Sequence, residues 1–433
     1  MPLSPVLVDQ PAYPFVLLEE AKRRKAAEGV RILDFGMGDP RGRPEARIRR
    51  ALVEALDEAT GYPAAHGLPE LRAAIARWFR RRFEVDLDAD SEIIPTLGSK
   101  EAIFSFAQVA VDADAGKDLV LVPDPAYPVY ERGAVFAGAR VRTVPLPAAT
   151  GFLPDLDAID EETWERVAVF WVNYPNNPTT AVAARSLYRR LAERARAYDF
   201  YLASDEAYSE LWFEQPPPSA LEAGRANVVV FNTLSKRSSM TGYRSGFVAG
   251  DPDVIAALRK FRPSVGTAPQ LFVQRASVVA WSDEEHVERN RERYRRKREL
   301  FLELFERKGL RVAGGAATMY LWVEVPGDET SAGFAARLLE RGVVVAPGTH
   351  LGRMGEGYVR LALVPTEEEC RLAVEVLDDE LGTRTSSSAE SRRPGRSPRP
   401  PRSRQSRRRS ARSTRGVCAS PRSGTASGSC TSG

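Results

Sequence analysis

Between Thr233 and Gly246 the chain reads Thr-Leu-Ser-Lys-Arg-Ser-Ser-Met-Thr-Gly-Tyr-Arg-Ser-Gly, gathering hydroxyls, a lysine and arginines around a turn with glycines. An anion such as a phosphate calls for hydroxyls like those of Thr233 and Ser235 and for the fork of Arg244. A nucleophilic amine calls for a lysine in a cationic, partly desolvated place, and Lys236 stands there. It is also the one lysine of the eight in the chain that directly follows an apolar run. A second phosphate-type signal is Gly98-Ser99-Lys100-Glu101, which opens an apolar helix and leaves bare N–H groups at its first turn. It lacks the first glycine and the spacing of a P-loop. Asp124–Tyr127, Asn173–Thr179 and Asp205-Glu-Ala-Tyr208 add carboxylates, amides and phenols. Plainer readings stay open for several of these: a helix cap for Asp205-Glu206, a simple turn for Asn176-Asn177-Pro178, and core or interface aromatics for Tyr62 and Tyr127.

The elements that must position these groups follow from periodicity. Apolar runs at Leu119–Val122, Val167–Val172, Phe200–Ser204 and Val228–Asn232 each end where a polar cluster begins, and Gly246–Gly250 forms a fifth. In open α/β sheets, ligands sit outside the carboxyl ends of the strands, so four such clusters point to one shared pocket. Helical patterns lie between the runs, including Leu68, Leu71, Ile75, Trp78 and Phe79 with Pro69 as first helical residue, and Arg185–Tyr198. Strands that are apolar on both faces and alternate with helices predict a mainly parallel sheet covered on both sides. A long charged helix is expected over Asp283–Lys308. A smaller α+β unit follows to about Leu381, with strands at Tyr320–Val325, Val343–Ala346 and Tyr358–Leu363. The expected boundaries are 1–38 for an N-terminal segment packing with the small domain, 39–281 for the large domain and 282–382 for the small one. Residues 383–433 are rich in Ser, Arg, Pro and Gly and are expected to be a disordered tail.

Charge narrows the partners. The chain of 433 residues has a formal net charge of +4, yet residues 383–433 carry 13 Arg and one Glu, which leaves the body with 49 basic and 57 acidic side chains. An acidic body gives no reason to expect nucleic acid or an anionic membrane as partner. No apolar run approaches the roughly 18 residues of a membrane span. The opening Met-Pro-Leu-Ser-Pro lacks the basic and apolar regions of a signal peptide. Cys370 is the single cysteine of the body, which fits a reducing cytoplasm, and His66, His286 and His350 have no metal-ligand spacing, so no metal is expected.

Ser235-Lys236 with Arg244-Ser245-Gly246, on this strand pattern, resembles the cofactor-lysine signature of the class I/II aminotransferases of pyridoxal-phosphate (PLP) fold type I. The resemblance covers about residues 5–380. It implies an α/β fold, with a large domain built on a mainly parallel sheet of the seven-stranded type and a small α+β domain. It also implies PLP held as a Schiff base on Lys236, which would shuttle the substrate proton, with Asp205 paired to the ring nitrogen. Tyr208 and Asn177 would bond the phenolic oxygen, Asn177 also lying by the substrate, and Tyr127 would stack on the ring. Ser99, Lys100 through its backbone, Thr233, Ser235 and Arg244 would hold the phosphate. Arg360 would grip the substrate α-carboxylate beside the backbone of Gly38. Tyr62 would reach the phosphate of a neighbouring subunit, which makes a homodimer the expected working form. Thr233, Ser245 and Thr180 depart from the family pattern, the last standing where glycine is usual.

Within the family, the stretches Leu234–Asp251, Arg262–Pro269 and Ala280–Asn290 are similar to N-succinyl-diaminopimelate aminotransferases of lysine and cell-wall precursor biosynthesis. That implies amino-group exchange between glutamate/2-oxoglutarate and N-succinyl-2-amino-6-oxopimelate. Such substrates carry extra carboxylates, and Arg41, Arg43, Arg237 and Arg262 are candidate cations for them. Alternatives are an aminotransferase for LL-diaminopimelate, aspartate or an aromatic amino acid, a PLP β-lyase or decarboxylating relative, and a non-catalytic PLP-binding regulator.

Overall fold

The computed structural model describes residues 3–8, 13–58 and 61–382, all within one compact unit, and the expected tail at 383–433 lies outside the described residues. The strands, in chain order, are β1 (Leu33–Asp34), β2 (Ile93–Thr96), β3 (Leu119–Asp124), β4 (Arg140–Pro145), β5 (Val167–Asn173), β6 (Tyr201–Asp205) and β7 (Val228–Thr233). They continue as β8 (Gly246–Gly250), β9 (Val312–Ala313), β10 (Tyr320–Glu324), β11 (Val343–Val344), β12 (Ala346–Pro347) and β13 (Tyr358–Ala362).

Seven of them form one sheet in the order β2-β8-β7-β6-β5-β3-β4. All run parallel except β8, which is antiparallel to both of its neighbours. The period of two along each strand feeds two cores. On β7, Val228 and Val230 join the cluster around Trp78, Phe79 and Trp164, while Val229 and Phe231 join the one around Phe106 and Trp171. Helix Pro69–Phe83 begins at a proline and buries Leu71, Ile75, Trp78 and Phe79, as its 3.6-residue spacing predicts.

A second, antiparallel sheet has the order β12-β13-β10-β9. It packs in a third cluster with Tyr294, Phe301, Leu304 and Phe305 of the long helix Glu285–Arg307. The single strand expected over Val343–Ala346 is instead two short ones. Val343 and Val344 pair in parallel with Leu33 and Asp34, whereas Ala346 and Pro347 pair with β13. Among the described residues no helix is long and apolar enough to cross a membrane.

Candidate active site

The large sheet aims its polar strand ends at one place. A cavity of about 290 Å³ is lined by Gly38, Ser99, Lys100, Tyr127, Asn177, Asp205, Tyr208, Thr233, Ser235, Lys236, Arg244 and Arg360, which is every residue expected to meet the cofactor or the substrate α-carboxylate except Tyr62. The Tyr62 side chain stands fully exposed on the surface and does not line it.

At one end the groups suit an anion. Helix Ser99–Ala110 starts there, with Gly98 in the left-handed region (φ 76°) just ahead of it. Leu97 N–H donates to Glu101 at 2.9 Å, and Glu101 takes a two-pronged contact from Arg262 at 2.8 and 3.0 Å, so the loop is pinned from outside. The Thr233 and Ser235 hydroxyls lie 3.0 Å apart across the strand end, and the Arg244 guanidinium donates to the Leu97 carbonyl at 3.2 Å. A Cβ on Gly246 would come within 2.9 Å of the Gly98 carbonyl carbon and 3.0 Å of the Ser99 nitrogen, so only glycine lets β8 approach this helix start.

At the other end sits a carboxylate-amide-guanidinium chain. Asp205 accepts the Tyr130 hydroxyl at 2.7 Å and the Ala207 N–H at 3.1 Å. Burial raises its carboxyl to about 6 against the pull of those bonds. Its own carbonyl accepts from Asn173, whose amide oxygen accepts the Asn177 N–H, both at 2.8 Å. Asn177 in turn accepts Arg360 Nη1 at 2.8 Å, and Arg360 Nη2 donates to the Gly36 carbonyl at 2.8 Å. The guanidinium lies over the Tyr320 ring at 4.5 Å, is buried, and its Nε has no partner. Tyr208 and Tyr320 share a hydroxyl contact of 3.0 Å.

In the same cavity Lys236 presents its amine, which donates to the Gly38 carbonyl. Burial lowers the amine to about 8, with Asp39 opposing and Arg360 and Arg244 adding to the fall. Gly38 is required where it stands, since a Cβ there would lie 2.1 Å from the Tyr320 hydroxyl. Hydroxyls, a helix start and Arg244, together with a buried amine and a buried carboxylate in one cavity, fit pyridoxal phosphate as a donor set.

None of the four arginines expected to meet the extra carboxylates lines this cavity. Arg237 is buried, donates to the Ala280 carbonyl at 2.6 Å and to Glu284 at 2.8 Å, and lies over Trp281. Arg262 is spent on Glu101 and on the Thr267 carbonyl at 2.8 Å. Arg41 pairs with Asp34 and Glu369, and Arg43 lines a separate open groove of about 870 Å³. Conversely, Tyr13, Phe15, Asp39, Tyr130 and Tyr320 line the cavity unannounced by the sequence, and Asn173, which opens one of the polar clusters, lines it without having been given a role. Tyr130 had a signal: it falls three residues after Tyr127, as the second residue of the helix Val129–Phe136. Thr180 adopts φ 62°, which explains the usual glycine, and its hydroxyl accepts the Gly315 N–H at 2.6 Å and contacts the Ala313 carbonyl at 3.2 Å.

Residues 30–377 match the family "Aminotransferase class I and II". The chain is 42% identical to the LL-diaminopimelate aminotransferase of Aquifex aeolicus, over 82% of this chain and 94% of that protein. A solved structure of an aminotransferase from Neisseria meningitidis superposes with a TM-score of 0.82 at 36% identity, covering 87% of this chain and all of that one. A probable N-succinyldiaminopimelate aminotransferase from Thermus thermophilus gives a TM-score of 0.79 at 32% identity, covering 84% and 99%.

Proposed function

This chain belongs to the class I and II aminotransferases, which work with pyridoxal phosphate, and from that premise we propose that it exchanges an amino group between LL-diaminopimelate and 2-oxoglutarate. The observation that carries the chemistry is the convergence of the Lys236 amine, the Asp205 carboxylate and the Arg360 guanidinium with its unpartnered Nε on one cavity. The substrate skeleton is supported by the Aquifex relative, similar over nearly its whole length. The N-succinylated substrate remains the second reading, favoured by the Thermus likeness and by the Leu234–Asp251 and Ala280–Asn290 stretches.

When bound, the cofactor supplies an aldehyde that accepts the substrate amine and a ring that takes up electrons from the substrate carbon. Everything else falls to the chain. Lys236, lowered to about 8, is partly neutral near neutral pH and can take a proton from the substrate carbon and return it. Asp205, ionised above about 6, would hold a proton on the ring nitrogen. Tyr208 and Asn177 would donate to the ring oxygen, and Tyr127 would cover the ring face. Ser99, the Lys100 backbone, Thr233, Ser235 and Arg244 would hold the phosphate. Arg360 would take the α-carboxylate, with Gly38 leaving room beside it. Tyr62, exposed in one chain, would serve a second copy, so the working form would be a homodimer.

The test is glutamate formation from 2-oxoglutarate with LL-diaminopimelate or its N-succinyl derivative as donor. LL-diaminopimelate is expected to be preferred by about tenfold or more in kcat/KM, the lower end of what a pocket discriminates by the size of one small group. The reverse preference would install the acylated reading, and turnover of neither would remove the diaminopimelate assignment. Lys236→Ala retaining full turnover would remove the aminotransferase mechanism itself.

A further inference from the structure

Behind the turn that carries Lys236 lies a set of polar groups for which the transamination chemistry has no use. The helical turn Leu234–Arg237 is four residues long, so its last carbonyls have no partners within it. One side chain meets two of them. Asn290 Nδ2 donates to the Lys236 carbonyl at 3.0 Å and to the Arg237 carbonyl at 3.2 Å. Its amide oxygen accepts from Arg293 at 3.3 Å, which fixes the orientation of the amide.

One residue further on, the Ser238 hydroxyl lies 2.8 Å from His286 Nε2, and His286 Nδ1 lies 2.8 Å from Asp283 Oδ2. The carboxylate can only accept, which assigns the ring proton to Nδ1 and leaves Nε2 to receive the serine hydroxyl. Burial and the neighbouring Arg237 charge hold His286 below its usual range, against the attraction of Asp283. Asp283 is itself fixed by the Glu285 N–H at 3.0 Å and by Arg47. With Arg237 bound to the Ala280 carbonyl and Glu284, three successive residues, 236 to 238, are tied to the segment 280–290. Of residues 236 to 238, only Lys236 lines the cavity. Ser238, His286 and Asn290 line the separate open groove instead.

We propose that Asn290, together with His286 acting through Ser238, positions the Lys236 amine by clamping the backbone from which that side chain extends. They are positioning residues, since neither lines the cavity. The clamp sets how often the amine reaches the substrate carbon and which proton state it holds there, and this inference rests on Lys236 being the cofactor lysine.

The experiment uses the full-length holoenzyme and the variants Asn290→Asp, Asn290→Ala and Ser238→Ala. Asn290→Asp turns two donors into acceptors facing carbonyls, and Ser238→Ala removes one hydroxyl and nothing else. Four quantities are read: bound cofactor per chain, the pH midpoint of its absorbance change, kcat and KM for the amino donor, and Tm. Cofactor content is expected to stay at the wild-type level. For the Asn290 variants the midpoint is expected to move by about half a pH unit or more and kcat to fall about tenfold or more, with KM changing about twofold at most, the pattern of a displaced catalytic group. Ser238→Ala should move both quantities in the same direction by less. A lower Tm with midpoint and kcat unchanged in the folded variants would overturn the proposal. If the Asn290 variants do not fold, Ser238→Ala decides alone. Lys236→Ala run alongside separates the two failures: a wild-type absorbance and turnover in that variant would defeat the cofactor assignment, not the clamp.

Discussion

Tyr130→Phe is the sharpest test of how the cavity sets the state of Asp205. The Tyr130 hydroxyl is 2.7 Å from Asp205 Oδ2, in a wholly buried pair, and after burial it is the largest influence on that carboxyl, opposing the rise to about 6. A hydrogen bond to a charged group contributes about 1.5–3 kcal/mol. At 1.36 kcal/mol per pH unit, its loss lifts the Asp205 carboxyl by about one to two pH units, since the ionised form loses a donor and the protonated form does not. The phenylalanine ring keeps the stack on Trp171, with centroids 4.9 Å apart, so the fold should be retained. The sign for cofactor binding follows. With Asp205 in its proposed role, a carboxyl that has become harder to ionise would pair with the ring nitrogen only at higher pH, so affinity should be lost on the acid side sooner than in the wild type. Apoprotein titrated with pyridoxal phosphate from pH 5.5 to 9 should show the acid limb of the affinity moved upward by about one to two pH units, with the alkaline limb in place. An acid limb that stays where it is would refute the reasoning, because the hydroxyl would then have no hold on the carboxylate.

Other perturbations have equally definite outcomes. Glu206 is fully buried, accepts from Ser204 and from the Ala220 N–H, leaves Oε2 unpartnered and is raised to about 7 by burial. A raised carboxyl weakens the fold as pH climbs from its unfolded value near 4.5 through 7, so Glu206→Gln should flatten that decline and gain about 2–3 kcal/mol at pH 8, read as Tm against pH. Thr180→Gly trades the strain of φ 62° against two hydroxyl contacts and should change stability by about 1 kcal/mol or less, whereas Thr180→Val keeps the strain, loses both contacts and should cost about 2–3 kcal/mol in urea unfolding. Arg360→Lys keeps the charge but not the fork, and should raise KM for the amino donor about tenfold or more with cofactor content unchanged. Gly38→Ala should depress kcat/KM about a hundredfold, with partial recovery when Tyr320→Phe removes the hydroxyl it strikes.

What the sequence made legible were features with a local signature. Four apolar runs ending in polar clusters located β3, β5, β6 and β7 to within a residue or two and put Asp205, Thr233 and Lys236 at their mouths. Two edge strands left no such trace. β2 contains Pro95, tolerated because it lies at the sheet margin, and β4 alternates arginines along an exposed edge. The split at Val345 is a tertiary event: the same apolar run is shared between two sheets, and nothing in its composition marks the switch. Arginines were the least legible residues. Arg244 and Arg360 face the cavity while Arg237 and Arg262 are buried in ion pairs, and the difference is made by Glu284 and Glu101, which are 47 and 161 residues away in the chain. Tyr130 and Tyr320 went unseen because an aromatic on an apolar helix or strand reads as core.

Those arginines also show what distinguishes a site from a well-built interior. Arg237, Arg262 and Arg360 are all buried, and each leaves its Nε without a partner, so an orphaned donor by itself selects nothing. For Arg237 and Arg262 a carboxylate of the chain already balances the charge. Arg360 has only neutral acceptors, the Asn177 amide and the Gly36 carbonyl, and burying a guanidinium without an anion is costly. On the proposed reading its balance would come from a carboxylate that arrives with the substrate. The Asn173–Asn177 amide chain runs from that guanidinium to the backbone of Asp205, so an arriving carboxylate would be placed at a set distance from the carboxyl that would face the ring. Binding the anion would then satisfy a charge the fold leaves open and orient the substrate in the same step, so substrates lacking an α-carboxylate should fail at the level of affinity and not only of rate.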